Sequence, residues 1–303
     1  LNQKGMSYHQ PVLLKECIEL LSIQRDGIYI DATFGGGGHS RAILEQLGPH
    51  GRLIAFDQDE DAWANAIDDQ RFTLCQHNFR HMKRFLRLYG VGEVDGVLAD
   101  LGVSSHQLDT PERGFSFRFE ADLDMRMGKS SGQTAAEILN TYSADELQKV
   151  FGRYGEVRNA RTLAMAVVEA RSVKPFEKIE DLLQVAEKWM RGPRNKYLAQ
   201  VFQALRIEVN DEMGALEDLL EQILGFLKPG GRTVIMSYHS LEDRMVKNFL
   251  KTGRPDGQIQ QDFYGNIERP FHILTKKALI ASDEEVRANP RARSVRLRAG
   301  EKK

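Results

Sequence analysis

Three aspartates, Asp31, Asp57 and Asp100, each close a short apolar run, and the first is followed almost at once by four consecutive glycines, Gly35 to Gly38. Glycines at a strand-to-helix turn let the backbone pass close under a ligand, and the helix that follows presents unpaired N–H groups to it. An acid about 20 residues beyond such a turn accepts hydrogen bonds from two ribose hydroxyls, and Asp57 stands there. The ligand implied is a nucleoside-bearing cofactor, either NAD or S-adenosylmethionine. A dinucleotide fingerprint G-x-G-x-x-G would read Gly35-x-Gly37-x-x-Ser40, without the third glycine that close helix–sheet packing needs. Asp31, before the glycines, is placed for a carboxylate to face the ammonium of a methionine moiety. Both points favour S-adenosylmethionine. Tyr238 and His239 end a later apolar run, at the same sheet edge as Asp100 and free to meet a substrate.

These residues need an open α/β sheet to hold them. Tyr29–Phe34, Leu53–Asp57 and Val94–Asp100 read as strands, with Phe72–Gln76 as a further candidate, and His39–Leu47 as a helix with Ile43, Leu44 and Leu47 on one face. Ligands of such sheets bind beyond the carboxyl ends of strands, where all three aspartates fall. Their mutual repulsion calls for a polar or cationic partner. Pro11 opens a helix through Leu21, with His9 just before it as a cap or ligand contact. Phe79 either packs on an adenine or fills the core. From Pro111 to about Arg206 the alternation stops, and helices are expected over Asp145–Phe151, Ala160–Ala170 and Ile179–Met190. Within this stretch Arg113-Gly114-Phe115-Ser116-Phe117-Arg118-Phe119 interleaves arginines with aromatics, a pattern that stacks a base and holds phosphates or else is core. The helix from Met213 to Leu227, the turn Lys228–Gly231 and the strand Arg232–Ser237 resume the α/β pattern, and Ser240 with Asp243 has capping-box-like spacing.

The chain has 303 residues, 41% of them hydrophobic, and a formal net charge of -1. That suffices for one large α/β domain and a smaller companion. The charge is uneven: residues 113–206 carry 16 basic and 12 acidic side chains, and residues 244–303 carry 14 and 7. Val286 to Gly300 holds five arginines and no acid, which reads as a phosphate-facing tail or a solvated end. Cys17 and Cys75 form no C-x-x-C pattern, so neither a disulfide framework nor a metal site is indicated. With no long apolar run, a cytoplasmic protein without a membrane partner is expected.

As a set, His9–Leu14, Asp31–Ser40, Asp100–Ser105, Arg113–Phe117, Leu123–Met127, Phe202–Ile207, Ser237–Arg244 and Asn289–Ser294 closely resemble the bacterial MraW/RsmH family over nearly the whole chain. The resemblance implies an S-adenosylmethionine-dependent, Rossmann-like α/β methyltransferase sheet with an inserted all-helical domain. It implies a first methyltransferase segment over residues 6–110, a substrate-recognising insertion over 111–206, and a second segment with a basic tail over 207–303. The implied reaction is N4-methylation of a cytidine in the decoding region of small-subunit ribosomal RNA, within the assembled or assembling 30S particle. Carried over by position, the cofactor contacts are Gly37, Gly38, His39, Asp57, Phe79, Asp100 and Gln107, joined by Asp31. The catalytic residues are Asp100 and His239, and the substrate side comprises Arg113, Phe115, Arg126, Tyr238, Arg291 and Arg293. Many relatives carry a larger residue in place of Gly36, a departure that leaves the binding backbone intact. Amino-group methyltransferases of the Asp-Pro-Pro-Tyr type stack the target base on the motif's aromatic. Val103 occupies that place here, which assigns stacking to Tyr238 or Phe115.

Overall fold

A computed structural model describes residues 11–128, 132–259, 261, 265 and 269–303. His9 lies outside them. The chain divides into two compact units, residues 1–102 with 214–303, and residues 103–213.

The first unit begins with helix α1 (Leu14–Leu21), strand β1 (Ile28–Asp31), α2 (Gly38–Gln46), β2 (Arg52–Phe56), α3 (Glu60–Trp63), β3 (Phe72–Cys75), α4 (Met82–Leu88) and β4 (Val94–Asp100). The second unit holds α5 (Ser105–Asp109), α6 (Ala135–Thr141), α7 (Ala144–Arg153), α8 (Ala160–Val173), α9 (Ile179–Lys188) and α10 (Arg194–Asn210). Then come α11 (Glu212–Phe226), β5 (Leu227–Ser237), α12 (Ser240–Thr252), β6 (Phe271–Ile273), α13 (Asp283–Ala288) and β7 (Arg296–Lys302).

Seven strands form one sheet in the order β3-β2-β1-β4-β5-β7-β6. The β1–β2, β2–β3, β1–β4 and β4–β5 pairs are parallel, and β7 runs antiparallel to both β5 and β6. Parallel strands covered on both faces must be apolar along their length, which is why β2 and β4 read as near-continuous hydrophobic runs. The chain leaves β1 toward β2 and β3 on one side and later returns through β4 to the other. The crevice of this α/β fold therefore opens beyond the ends of β1 and β4, the switch point where ligands bind. On one face, Cys17 and Leu21 of α1 and Ile43 of α2 pack with Leu53, Leu98, Val234 and Leu297.

Two local features differ from expectation. The turn Lys228–Gly231 is absorbed into β5, whose pairing with β4 jumps from Val94↔Leu227 to Gly96↔Arg232, so the Pro-Gly-Gly run is an irregularity within the strand. The basic stretch ending at Gly300 is not a free tail: from Arg296 it is a sheet strand in which Leu297 and Ala299 are buried. Arg298 turns its guanidinium onto Asp243, with Nε 2.7 Å from Oδ1 and Nη2 3.2 Å from Oδ2.

The second unit is helical around its own core, including Leu139, Leu147, Phe151, Leu163, Val167, Leu182, Leu198 and Leu205. Thr134 with Glu137 and Ser143 with Glu146 are reciprocal capping boxes that start α6 and α7. Among the described residues, no helix is long and apolar enough to cross a membrane.

Candidate active site at the strand ends

Strand β1 delivers Asp31, and the segment after it stitches the two neighbouring strands together. Ala32 N–H donates to Leu98 O at 2.8 Å and Phe34 N–H to Phe56 O at 2.9 Å. Between them, Thr33 Oγ1 accepts the Asp100 N–H at 2.6 Å. The Asp31 carboxylate is fully buried, with Oδ2 accepting from Ser40 Oγ at 2.6 Å and Oδ1 from Thr33 N–H at 3.1 Å. Burial pushes this carboxyl above its usual range against the Ser40 hydrogen bond and the nearby His39 ring. His39 is buried too, which lowers its pKa, and its Nε2 lies 3.1 Å from Val12 O. Asp31 thus organises the glycine turn from within; no solvent reaches it.

The glycines divide their labour. A Cβ on Gly38 would run into the Pro11 ring, so this residue lets Pro11 pack on α2. Gly35 has φ +51, and among the described residues no atom beyond its chain neighbours lies within 4 Å of the place its Cβ would take. That is an open cradle of backbone. Its N–H donates to Asp57 Oδ2 at 2.7 Å, and Asp59 N–H donates to Asp57 Oδ1 at 2.8 Å. Each carboxylate oxygen of Asp57 keeps a lone pair, so the acid is fixed in position and still able to receive two hydroxyls. Burial pushes its pKa up to about 6, against those two main-chain donors. Beside it, Asn78 Nδ2 donates to Gln58 Oε1 at 2.9 Å, tying the turn after β2 to the one that carries half-buried Phe79. An open glycine cradle flanked by a pre-oriented acid and an aromatic fits a nucleoside cofactor.

At the end of β4, Asp100 Oδ1 accepts the Tyr238 hydroxyl at 2.7 Å. Oδ2 has no hydrogen-bond partner among the described residues. Burial raises the Asp100 pKa to about 7; the Tyr238 hydrogen bond opposes that rise and the Glu242 charge adds to it. Tyr238 is itself raised well above the ordinary phenol range by burial and by Asp100. The Tyr238 hydroxyl is thus committed to the acid, while its ring remains only partly buried.

His239 is the N-cap of α12, one residue earlier than the Ser240 cap expected from spacing, and Glu242 closes the capping box. Its Nδ1 accepts the Glu242 N–H at 3.4 Å. Its Nε2 lies 3.2 Å from Glu242 Oε1, yet finds no aligned hydrogen-bond partner among the described residues. The ring is held by the helix start, which is not how a mobile proton acceptor is placed.

The remaining site candidates lie in the second unit or on the 3₁₀ turn Pro290–Ser294. Gln107 is buried in the capping box of α5, its Oε1 accepting from Ser104 N–H at 2.9 Å. Arg113 is buried, donating through Nη2 to Arg126 O at 3.0 Å and Met127 O at 2.8 Å, and Phe115 belongs to the helical core. A base cannot stack on Phe115 without opening that core, so these two expected substrate contacts are structural in this fold. Arg126 forks onto Asp124 through two 2.8 Å bonds. Arg293 is exposed and Arg291 partly so. The sequence reading missed Thr33, Ser40 and the acid-holding role of the Tyr238 hydroxyl. Only the position of each beside a strand-end aspartate could have pointed to them.

Compared with known proteins, residues 6–303 match the profile of the MraW methylase family. The chain belongs to the MraW methylase family. Among its curated relatives is ribosomal RNA small subunit methyltransferase H of Parabacteroides distasonis, 55% identical over 304 residues and covering 100% of both chains. The proteins of that name from Cytophaga hutchinsonii (56% identical, 97% of this chain and 99% of that protein) and Flavobacterium johnsoniae (54%, 98% of each) match as fully. MraW methylases are S-adenosylmethionine-dependent.

Proposed function

We propose that this MraW methylase transfers a methyl group from S-adenosylmethionine to the exocyclic N4 of a cytidine in the decoding region of small-subunit ribosomal RNA, in the cytoplasm and on the 30S particle. Its relatives' names support the ribosomal substrate. The observation that carries the amine is Asp100, a carboxylate pinned by Tyr238 through one oxygen, with the other open.

The cytosine amine is a poor nucleophile because its lone pair is delocalised into the ring. When bound, the cofactor supplies an electrophilic methyl; the rest is asked of the protein. The Gly35 backbone and Asp57 hold the donor's nucleoside, the enclosed Asp31 keeps the turn in shape, and Phe79 flanks the adenine. Asp100 Oδ2 accepts one N4–H, which orients the amine and stabilises the positive charge that grows on nitrogen during attack. The same oxygen would meet a lone pair on uracil's O4, so the acceptor selects cytosine. With a pKa near neutrality, Asp100 is also matched to take the proton that the methylated nitrogen sheds. His239 contributes by starting α12 and so fixing Tyr238 behind Asp100. The helical unit, with the 3₁₀ turn bearing Arg291 and Arg293, supplies RNA contacts.

The test is transfer of labelled methyl to small subunits lacking the modification, followed by nucleoside analysis. N4-methylcytidine at one position is expected. Label on a ring carbon, on ribose or on protein would remove the proposal.

A further inference from the structure

The helical unit carries a surface that none of the substrate candidates above occupies. Trp189 follows α9 directly and is 46% exposed, unusual for the largest side chain. Asn159 Nδ2 donates to Trp189 O at 2.8 Å, which pins the start of α8 against the turn between α9 and α10. Arg191 lies close enough to Tyr197, on the first turn of α10, for its charge to lower that phenol's pKa, although burial raises it overall and the Asn159 side chain also opposes the rise. The start of α8 and the turn after α9 therefore lie together.

On the segments that the Asn159–Trp189 bond joins, Arg158, Arg161, Lys188, Arg191 and Lys196 are exposed, and none is ion-paired among the described residues. Arg194 is the one balanced cation there, paired with Glu187 at 2.6 Å. Neither 188–196 nor 157–168 contains an acid. One turn beyond Arg161 on α8, Met165 is 58% exposed. An exposed indole with unpaired cations on the adjoining segments is the combination that binds unpaired nucleic acid, the π-face taking a base and the cations its phosphates.

We infer that Trp189, with Arg158, Arg161 and Arg191 beside it, is a docking surface for a single-stranded or looped segment of RNA, built from residues other than those of the methyl-transfer rim. This deepens the ribosomal RNA reading and rests on it for the identity of the partner. The surface adds affinity and register without touching the reacting atoms.

The experiment titrates the full-length protein with a short single-stranded oligoribonucleotide, followed by tryptophan emission and by anisotropy of a labelled RNA. Only Trp63 and Trp189 can emit as indoles. The wild-type emission quenches on binding. Trp189→Phe loses the quench and keeps the affinity, because a phenyl ring still stacks, whereas Trp189→Leu raises Kd about five-fold or more. Arg158→Gln, Arg161→Gln and Arg191→Gln together lower the slope of log Kd against log salt by about 2, at roughly 0.7 per phosphate contact. With small subunits as substrate, the Leu and triple-Gln variants raise KM and leave kcat unchanged. All are exposed positions, and an unchanged melting temperature separates lost contact from lost fold. Unaltered Kd and KM in both variants of an enzyme that still methylates subunits overturn the surface while the functional reading stands. Binding of anionic lipid vesicles in place of RNA also overturns it. Wild-type protein that shows the quench and the variant effects but methylates no subunits upholds the surface and removes the functional reading.

Discussion

The strand-end rim of the sheet and the Arg113–Met127 stretch of the helical unit use the same kinds of residue to opposite ends. At the rim, Asp57 and Asp100 are held at pKa values of about 6 and about 7, each oriented by the protein and each with an acceptor site left over. In the helical unit, Arg113 spends its guanidinium on two main-chain carbonyls. Burial alone would raise Asp124, yet the Arg126 fork holds it below the usual carboxylate range. Charges whose partners come from the chain itself build structure. Charges raised in energy with capacity to spare are poised for a ligand.

The contrast is tested most severely by removing one member from each side. Asp100→Ala should cut methyl transfer by about a hundred- to a thousand-fold in single-turnover assays with labelled cofactor, with the cofactor still raising the melting temperature. Near-wild-type turnover would take Asp100 out of the mechanism. Arg113→Ala should instead unfold more easily, by about 2–4 kcal/mol in urea denaturation, because two buried carbonyls lose their donor. Transfer per folded molecule should survive, and loss of turnover in a fully folded variant would return Arg113 to the substrate side.

The remaining tests sharpen the comparison. A carboxyl near 7 in the folded protein and near 3.9 unfolded makes the folded state bind more protons in between, so Asp100 costs the ligand-free protein stability as pH rises from about 4 to 7. Asp100→Asn escapes that loss. Its denaturation midpoint should exceed the wild type's at about pH 8 and converge with it at about pH 4; a lower midpoint at high pH would mean that the acid is stabilising. Tyr238→Phe removes the hydrogen bond that opposes the rise in the Asp100 pKa. The acid limb of kcat should therefore move to higher pH, with about ten-fold less turnover on that limb. An unmoved limb would uncouple the phenol from catalysis. Least of all, Arg293→Gln should lower the salt slope of RNA binding by about 0.7, one phosphate contact, and an unchanged slope would leave that arginine merely solvated.

Much of the rim was legible in the sequence because each acid closes an apolar run, and strand ends of a parallel sheet share one edge. The glycine turn was equally plain, though Gly38 serves the Pro11 contact, which no local pattern announces. What stayed hidden depends on pairing across the chain. Arg298 looked like part of a basic tail because its partner, Asp243, is 55 residues away. Helix α10 is not among the expected helices, although Tyr197, Leu198, Val201, Phe202 and Leu205 keep helical spacing, because Gly192 and Pro193 just before it break the pattern that leads in. Arg113 and Phe115 were ambiguous for a better reason: a stacking site and a packed core call for the same side chains, and only burial separates them.

Thr33 has a consequence larger than its size. Its hydroxyl receives the backbone amide of Asp100, and its own amide reaches Asp31, so one short side chain latches the donor half of the crevice to the acceptor half. Stiffening the glycine turn must be felt at position 100, and hydrogen exchange at that single amide would report whether the first substrate to arrive readies the pocket for the second.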